Sequence, residues 1–242
     1  MSIWGKLLGG VGGFALGGPL GAIIGAVAGH AVDKLRDAQS HNGDATKTVA
    51  FTIGVVVLGA KMAKVDGQVS AGEIAAFQKV FRVPPEEVKN VARVFDQARK
   101  DSYGFEPYAR QIAGMFEGDD AVLEELLFCL TFIGRADGEL NAEETAYLKA
   151  ISDIFGLDRA AFERVTAIRY EPDRADPYQI LGVPRTISDA ALKTAYRKLV
   201  RDNHPDRLIA QGMPEEFIEL ANRKLAAINV AYDSVSALRG LQ

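Results

Sequence analysis

The sequence predicts an all-α protein with three parts: an N-terminal glycine-rich helix, a duplicated all-helical domain and a C-terminal helical hairpin. Apolar residues recur with helical spacing through the middle of the chain, without sustained strand alternation. Glycines recur at every fourth position near the N-terminus, and two apolar helical stripes flank a short polar loop near the C-terminus. The predicted parts are residues 1–36, a polar linker at 37–45, a domain at 46–170 and a hairpin domain at 176–242.

The composition excludes several protein classes. The 242 residues are 48% hydrophobic and 25% charged, which excludes a disordered, collagen-like or disulfide-scaffold protein. A net charge of −4 gives no overall basic footprint, so we expect no nucleic-acid partner. The single cysteine, Cys129, excludes an internal disulfide and a cysteine-cluster zinc site. The charge is uneven, because residues 37–175 carry 16 basic and 23 acidic side chains.

The N-terminal part carries no charged residue between Lys6 and Asp33. A helix over residues 7–29 would be about 34 Å long, enough to cross a hydrocarbon core of about 30 Å. Small residues at every fourth position allow close helix pairing in membranes, so the pattern favours a membrane span and a homodimer. The positive-inside rule then places the bulk of the chain in the cytoplasm, since Lys34 and Arg36 follow the span. The glycines of this predicted helix-packing ridge are Gly9, Gly13, Gly17, Gly21, Gly25 and Gly29.

Three other interpretations of the N-terminal part stay open. Ala26-Val27-Ala28 is similar to the small-residue cleavage site of a signal peptide. Pro19 could stand at the bend of a glycine-rich hairpin packed on the protein surface. A helix of modest apolar bulk could also lie at the membrane interface without crossing the bilayer.

The middle of the chain contains an internal repeat, in which residues 63–73 match residues 134–144. Each copy has an Asp-Gly turn, followed by a predicted N-cap (Ser70 or Asn141) and by a glutamate that completes a capping box (Glu73 or Glu144). The surrounding periodicity predicts helices over 46–64, 70–81, 84–99, 107–116, 119–135, 141–155 and 159–169.

The repeated carboxylates also permit a second interpretation. If the two hairpins pack as a pseudo-dimer, Asp66, Glu73, Asp137 and Glu144 would lie together. Paired carboxylates favour a hard divalent cation such as Ca²⁺ or Mg²⁺. The duplicated motif resembles that of the TerB (tellurite-resistance) family over roughly residues 46–170. That resemblance implies an interaction or scaffolding domain with an acidic metal-binding surface and no catalytic activity.

The C-terminal part predicts a short helix followed by a helical hairpin. Asp176 and Pro177 start the short helix, Gly182 ends it, and Ser188 caps a helix that runs to about Asp202. This long helix has an apolar stripe at Leu192, Ala195, Tyr196 and Leu199. Its basic face consists of Lys193, Arg197, Lys198 and Arg201.

A polar loop at residues 203–207 joins the long helix to a last helix that starts near residue 214. The apolar residues of the last helix are predicted to face back toward the first stripe: Phe217, Leu220, Ala221, Leu225, Ile228, Ala231, Tyr232 and Val235. His204 and Asp206 in the loop could be metal ligands or an acid–base pair, but no second cluster supports them. The basic face could also be merely solvated, and the absence of interleaved aromatic residues disfavours nucleic acid.

The whole arrangement resembles the J domain of the DnaJ co-chaperone family. The residues that carry the resemblance are Tyr178, Leu181-Gly182-Val183, the run from Lys193 to Leu199, His204-Pro205-Asp206, Lys224, Ile228 and Ala231-Tyr232. The resemblance implies binding to a DnaK-class chaperone in its ATP state and triggering of hydrolysis, through His204, Pro205, Asp206, Arg207 and the basic face. Catalysis then belongs to the partner, so we expect no enzyme activity and no required cofactor.

The order of the parts is similar to that of membrane-anchored DnaJ-like co-chaperones of the bacterial inner membrane, down to Trp4-Gly5-Lys6 and residues 204–214. The resemblance to a J domain argues against the signal-peptide interpretation, because the ATP-driven partner of a J domain is cytosolic. The short stretch 170–175 predicts a fixed orientation of the two domains. No glycine/phenylalanine-rich linker or cysteine-rich module follows, so client choice is expected in the TerB-like or membrane part. The competing interpretation is a metal-responsive stress scaffold.

Overall fold

The computed structural model of the protein describes residues 17–28, 43–65, 88–100, 104–168 and 175–241. Within these ranges the chain forms α-helices, short 3-10 turns and no strand, which confirms the predicted all-α fold class. The helices are α1 Gly18–Ala28, α2 Gly43–Val65, α3 Val88–Lys100, α4 Glu106–Met115, α5 Asp120–Gly134, α6 Ala142–Ile154, α7 Arg159–Ala167, α8 Pro177–Leu181, α9 Asp189–Asp202, α10 Pro205–Ala210 and α11 Ile218–Arg239.

Helices α2–α7 form the middle domain, with α2 at its centre. Every residue from 49 to 63 is buried, including polar Thr52 and Lys61. A helix that is apolar on all sides must be covered on all sides, and α2 contacts α3, α4, α5 and α6. The predicted helices that fall in the described ranges are observed, with ends shifted by a few residues. The helix predicted for 70–81 lies outside the described residues.

The second copy of the repeat has the predicted local structure. Asn141 Oδ1 accepts a hydrogen bond from the Glu144 amide at 2.8 Å, and the Glu144 carboxylate accepts one from the Asn141 amide at 2.8 Å. This is the capping box that starts α6. Before it, Gly138 takes a φ of 142°, which an Asp-Gly turn allows because glycine has no Cβ. In the first copy, Asp66, Ser70 and Glu73 lie outside the described residues.

The N-terminal helix α1 departs from the prediction of one uninterrupted helix over residues 7–29. Gly17 and Gly18 have φ angles of 54° and 57°, so the chain is left-handed where a continuous right-handed helix would pass. The prediction of an unbroken helix is therefore wrong at this point. None of the helices in the described residues has both the length and the apolar character needed to cross a membrane. Gly9, Gly13 and Gly29 lie outside the described residues.

Helix α1 packs on the middle domain, against α3 and α4. Its Leu20 and Ile23 side chains are buried in the shared core. Gln111 of α4 holds the start of α1, because its Oε1 accepts a hydrogen bond from the Leu20 amide at 2.9 Å and its Nε2 donates one to the Gly17 carbonyl at 3.0 Å. Gln111 thus supplies the capping contact that α1 lacks in its own sequence.

Helices α8–α11 form the C-terminal domain, which has the predicted hairpin. Asp176 caps α8, Gly182 ends it in the left-handed conformation with a φ of 66°, and Ser188 caps α9. Helices α9 and α11 pack through Tyr196 and Tyr232, whose rings stack with centroids 3.9 Å apart. The Tyr196 hydroxyl also contacts Asn229 Oδ1 at 3.1 Å.

The residue that precedes α11 has a different neighbour from the one predicted. Phe217 was expected to face back toward α9, but its fully buried ring meets Phe51 of the middle domain edge-on, with centroids 4.9 Å apart. Two glycines of the C-terminal domain also approach the middle domain closely. A Cβ at Gly212 would lie 2.7 Å from the Lys47 Cβ, and a Cβ at Gly182 would lie 2.6 Å from Arg164 Nη1. The two domains therefore share one core, consistent with the fixed orientation predicted from the short stretch between them.

Candidate functional site

The tip of the C-terminal domain, His204-Pro205-Asp206, is the start of a helix. A loop was predicted over residues 203–207, but α10 begins at Pro205 and His204 is its N-cap. The His204 Nδ1 atom accepts a hydrogen bond from the Asp206 amide at 3.3 Å. Pro205 suits the first helical position because its ring fixes φ and its missing N–H would be unpaired there. This difference makes the tip more rigid than a loop would be.

The tip presents its two polar side chains to solvent and anchors the residue between them. Pro205 is buried, together with Leu208 one turn later. The His204 side chain is 51% exposed and that of Asp206 is 90% exposed. His204 Nδ1 lies 3.8 Å from Asp206 Oδ2, beyond hydrogen-bonding distance. An imidazole and a carboxylate held in this way can bind a partner's donors and acceptors.

An acidic residue that the sequence analysis did not single out organises part of the basic face. Asp202 ends α9 and lies 3.1 Å from Lys198 Nζ, 3.2 Å from Arg201 Nε and 2.8 Å from Arg207 Nη1. Partial burial raises the pKa of Asp202, but the hydrogen bonds from Lys198 and Arg201 outweigh burial, so this pKa lies below its ordinary value. The spacing of Lys198 and Asp202, four residues apart on a helix, was the available signal.

The other two residues of the basic face, Lys193 and Arg197, are exposed on the outer surface of α9. In the part of the chain that the structure describes, neither forms an ion pair. Along the same helix, Arg197 and Val200 line an open groove together with the tip residues His204 and Arg207. Seven of the eight predicted chaperone-binding residues are exposed along α9 and at the start of α10, and Pro205 is buried between two of them. The exposed residues are Lys193, Arg197, Lys198, Arg201, His204, Asp206 and Arg207.

The predicted metal-binding carboxylates are only partly described. Asp66 and Glu73 lie outside the described residues, and of Asp137 only the backbone, in a 3-10 turn, is described. Glu144 is buried, and its carboxylate is engaged in the capping box. Among the described residues, no cluster of three or more histidine, cysteine or acidic side chains is placed to hold a metal ion. A Ca²⁺ or Mg²⁺ site formed by all four carboxylates stays a prediction.

Three protein-family models match successive parts of the chain. The model of the co-chaperone DjlA transmembrane domain matches residues 1–47. The model of tellurite resistance protein TerB matches residues 52–167. The model of the DnaJ domain matches residues 176–237, which include the tip and the basic face.

Similar proteins align over nearly the whole length of the chain. The Co-chaperone protein DjlA of Photobacterium profundum is 28% identical, over 99% of this chain and 100% of its own. The protein of the same name from Coxiella burnetii is 28% identical over 98% of both chains, and that of Escherichia coli K12 is 27% identical over 100% of both. No solved structure gives a significant match.

Proposed function

The chain belongs to the DjlA-like co-chaperones of the DnaJ family, and from this premise we propose that it docks on a DnaK-class chaperone through its tip and stimulates ATP hydrolysis by that partner. The observation that carries the proposal is the geometry of the tip. His204 and Asp206 are exposed on either side of a buried proline, at the first turn of a helix. In the proposed mechanism the hydrolytic chemistry belongs to the chaperone, and this chain acts as its regulator.

Each part of the site has a physical role in the proposed docking. The basic face attracts and orients an acidic surface of the chaperone, because complementary charge raises the rate of productive encounter. The Asp206 carboxylate accepts a charge-assisted hydrogen bond from a partner arginine. His204 Nδ1 is occupied by the Asp206 amide, so the Nε2 atom is left to contact the chaperone. Because the tip is already ordered by α10, little conformational entropy is lost on docking.

The proposed docking is tested by steady-state ATP hydrolysis of a DnaK-class chaperone with the full chain in detergent micelles. The wild-type chain should accelerate hydrolysis, and His204→Gln should reduce the rate to that of the chaperone alone. The glutamine keeps a polar side chain of similar size but does not reproduce both ring nitrogens.

Arg159→Gln is the matched control, because Arg159 is exposed on α7 of the middle domain and its ion pair among the described residues is with Glu163 along its own helix. This control should stimulate as the wild type does. Equal hydrolysis with and without the wild-type chain would reject the proposal. Stimulation that survives His204→Gln would reject the tip as the docking site.

We propose further that the chain is anchored in the bacterial inner membrane by one span, with both domains in the cytoplasm. The match of residues 1–47 to a DjlA transmembrane domain supports an anchor, and the two basic residues Lys34 and Arg36 support the orientation. We expect the chain to stay in the membrane pellet after carbonate extraction. In sealed inverted vesicles, trypsin should cleave the C-terminal domain. Complete release by carbonate would contradict the anchor, and protection from trypsin would contradict the orientation.

A further inference from the structure

A buried cluster of charged side chains joins the two domains. The cluster consists of Glu124 and Glu125 on α5, Arg164 on α7 and Lys224 on α11. Lys224 Nζ lies 2.9 Å from Glu124 Oε1 and 3.4 Å from Glu125 Oε2, and Arg164 Nε lies 3.0 Å from Glu124 Oε1. Lys224 has no exposed surface, although it belongs to the helical hairpin and the carboxylates belong to the middle domain.

Burial and pairing act differently on the two carboxylates. Burial raises the pKa of Glu124, but the charges of Lys224 and Arg164 outweigh burial and hold this pKa below its ordinary value. Burial also raises the pKa of Glu125, and here the charge of Lys224 does not outweigh it. Glu124 is therefore shared between two cations from two domains, and Glu125 depends on Lys224 alone for a positive neighbour within ion-pair distance among the described residues.

Such a cluster is poorly explained as a source of stability. Charges removed from water lose solvation energy that their attraction often fails to recover, and apolar residues of similar volume are frequently as stable. A buried ion pair is, however, sensitive to direction and distance. If the C-terminal domain shifted by a few ångströms, Lys224 would leave both carboxylates. Glu124 would keep Arg164 as its partner, whereas Lys224 and Glu125 would lose the partners that they have in this cluster. The charge cluster therefore adds a directional constraint on the orientation to the apolar contacts around Phe217.

The orientation fixed by the cluster keeps the docking residues away from the middle domain. Lys224 and Phe217 face the middle domain, whereas His204, Asp206 and the outer residues Lys193 and Arg197 are exposed. Helix α11 is thus used for attachment, and α9 with the tip is left for docking.

We propose that Lys224, with Glu124 and Glu125, is a positioning residue: it fixes the C-terminal domain on the middle domain in the one orientation that presents the tip and the basic face to a chaperone. This inference rests on the proposed function, since the positioned groups are those of the docking site. Lys224 does not contact the chaperone in the proposed complex. It affects stimulation by limiting the range of orientations that the tip can sample.

The first test removes the charge of Lys224 and keeps its apolar volume. Spin labels are placed at Ala146→Cys on α6 and Ala237→Cys on α11, both exposed, with buried Cys129 replaced by alanine. In the wild-type background the distance distribution between the labels should be narrow. Lys224→Met should broaden it, and should raise the concentration of chain needed for half-maximal stimulation of a DnaK-class chaperone roughly three- to tenfold, with the maximal rate unchanged. Lys149→Met, which removes an exposed lysine from α6, should change neither readout.

The double variant Lys224→Met/Glu125→Gln restores charge balance in the cluster, because Glu124 and Arg164 remain as one pair. It should fold but keep the broad distribution and the raised half-maximal concentration, because Glu124 and Arg164 both belong to the middle domain and no ion pair of the cluster then joins the two domains. If Lys224→Met alone does not fold, the double variant decides the question. A double variant with the narrow distribution of the wild type would overturn the proposal, since the orientation would then not depend on Lys224. An unfolded double variant would also overturn it, since the cluster would then serve folding and not orientation.

The remaining outcomes also separate the two proposals. An unchanged distribution in Lys224→Met would overturn the positioning role. A broadened distribution with an unchanged half-maximal concentration would overturn it as well, since orientation would not limit docking. If the wild-type chain fails to stimulate hydrolysis at all, the proposed function fails. The label distances would then still report whether Lys224 fixes the orientation.

Discussion

Replacing Lys193 and Arg197 together by glutamate should slow association with a DnaK-class chaperone by about 10- to 100-fold at low ionic strength, because electrostatic steering acts through exposed charge of one sign. Asp202 forms ion pairs with Lys198 and Arg201 of the basic face but not with these two residues. Reversal of both changes the local charge by four units without breaking an ion pair in the described residues. Stopped-flow association and ATP hydrolysis, each at low and at moderate salt, measure the effect.

Salt should act in opposite directions on the two proteins. Added salt screens attraction in the wild type and slows its association, whereas it screens repulsion in the double reversal and speeds association. The control is Arg159→Glu, which reverses an exposed charge far along the chain, on the middle domain. Association rates that are equal for the wild type and the double reversal at low salt would exclude α9 as the steering surface.

Replacing Phe217 by alanine should lower the free energy of unfolding by about 3–5 kcal/mol, the usual cost of removing a buried phenylalanine ring. Phe217 is fully buried and lies edge-on to Phe51 of the middle domain. The cavity would therefore open in the core that the two domains share. Urea denaturation followed by circular dichroism measures the change, and both domains should lose stability because the lost contact belongs to both.

The matched control for Phe217→Ala is Leu238→Ala near the end of α11, because Leu238 is 75% exposed. Its replacement should change the free energy of unfolding by less than about 0.5 kcal/mol, since little apolar surface leaves contact. A loss below about 1 kcal/mol for Phe217→Ala would contradict the shared core. A large loss confined to the C-terminal domain, with the middle domain unchanged, would contradict it too.

Much of the fold could be predicted from the sequence because its signals are local. The capping box at Asn141 and Glu144, the end of α8 at Gly182 and the start of α9 at Ser188 each depend on a few neighbouring residues. The tip residues and the basic face could be found in the same way, because the basic residues recur with helical spacing and the tip residues follow them directly in the sequence. The start of α10 at Pro205 was missed, although proline at a first helical position was an available signal.

What the sequence did not predict depends on contacts between distant residues. Gln111 fixes the start of α1 across 91 positions, and no local signal marks it as a cap for that helix. The apolar stripe of α11 predicts that one side of the helix is buried, but it does not distinguish α9 from the middle domain as the neighbour of Phe217. Lys224 is a basic residue on an amphipathic helix, so the sequence favours exposure until the carboxylates of α5 are known to face it.

The burial of Leu20 and Ile23 against α3 and α4 has a mechanical consequence for a protein whose first residues match a membrane anchor. Helix α1 lies within the matched residues 1–47 and packs on the body that also carries the tip. Under the proposed docking and anchoring, we therefore expect a DnaK-class chaperone to be captured at a nearly constant distance from the lipid surface. Polypeptides within that thin layer would be favoured as substrates over those deeper in solution.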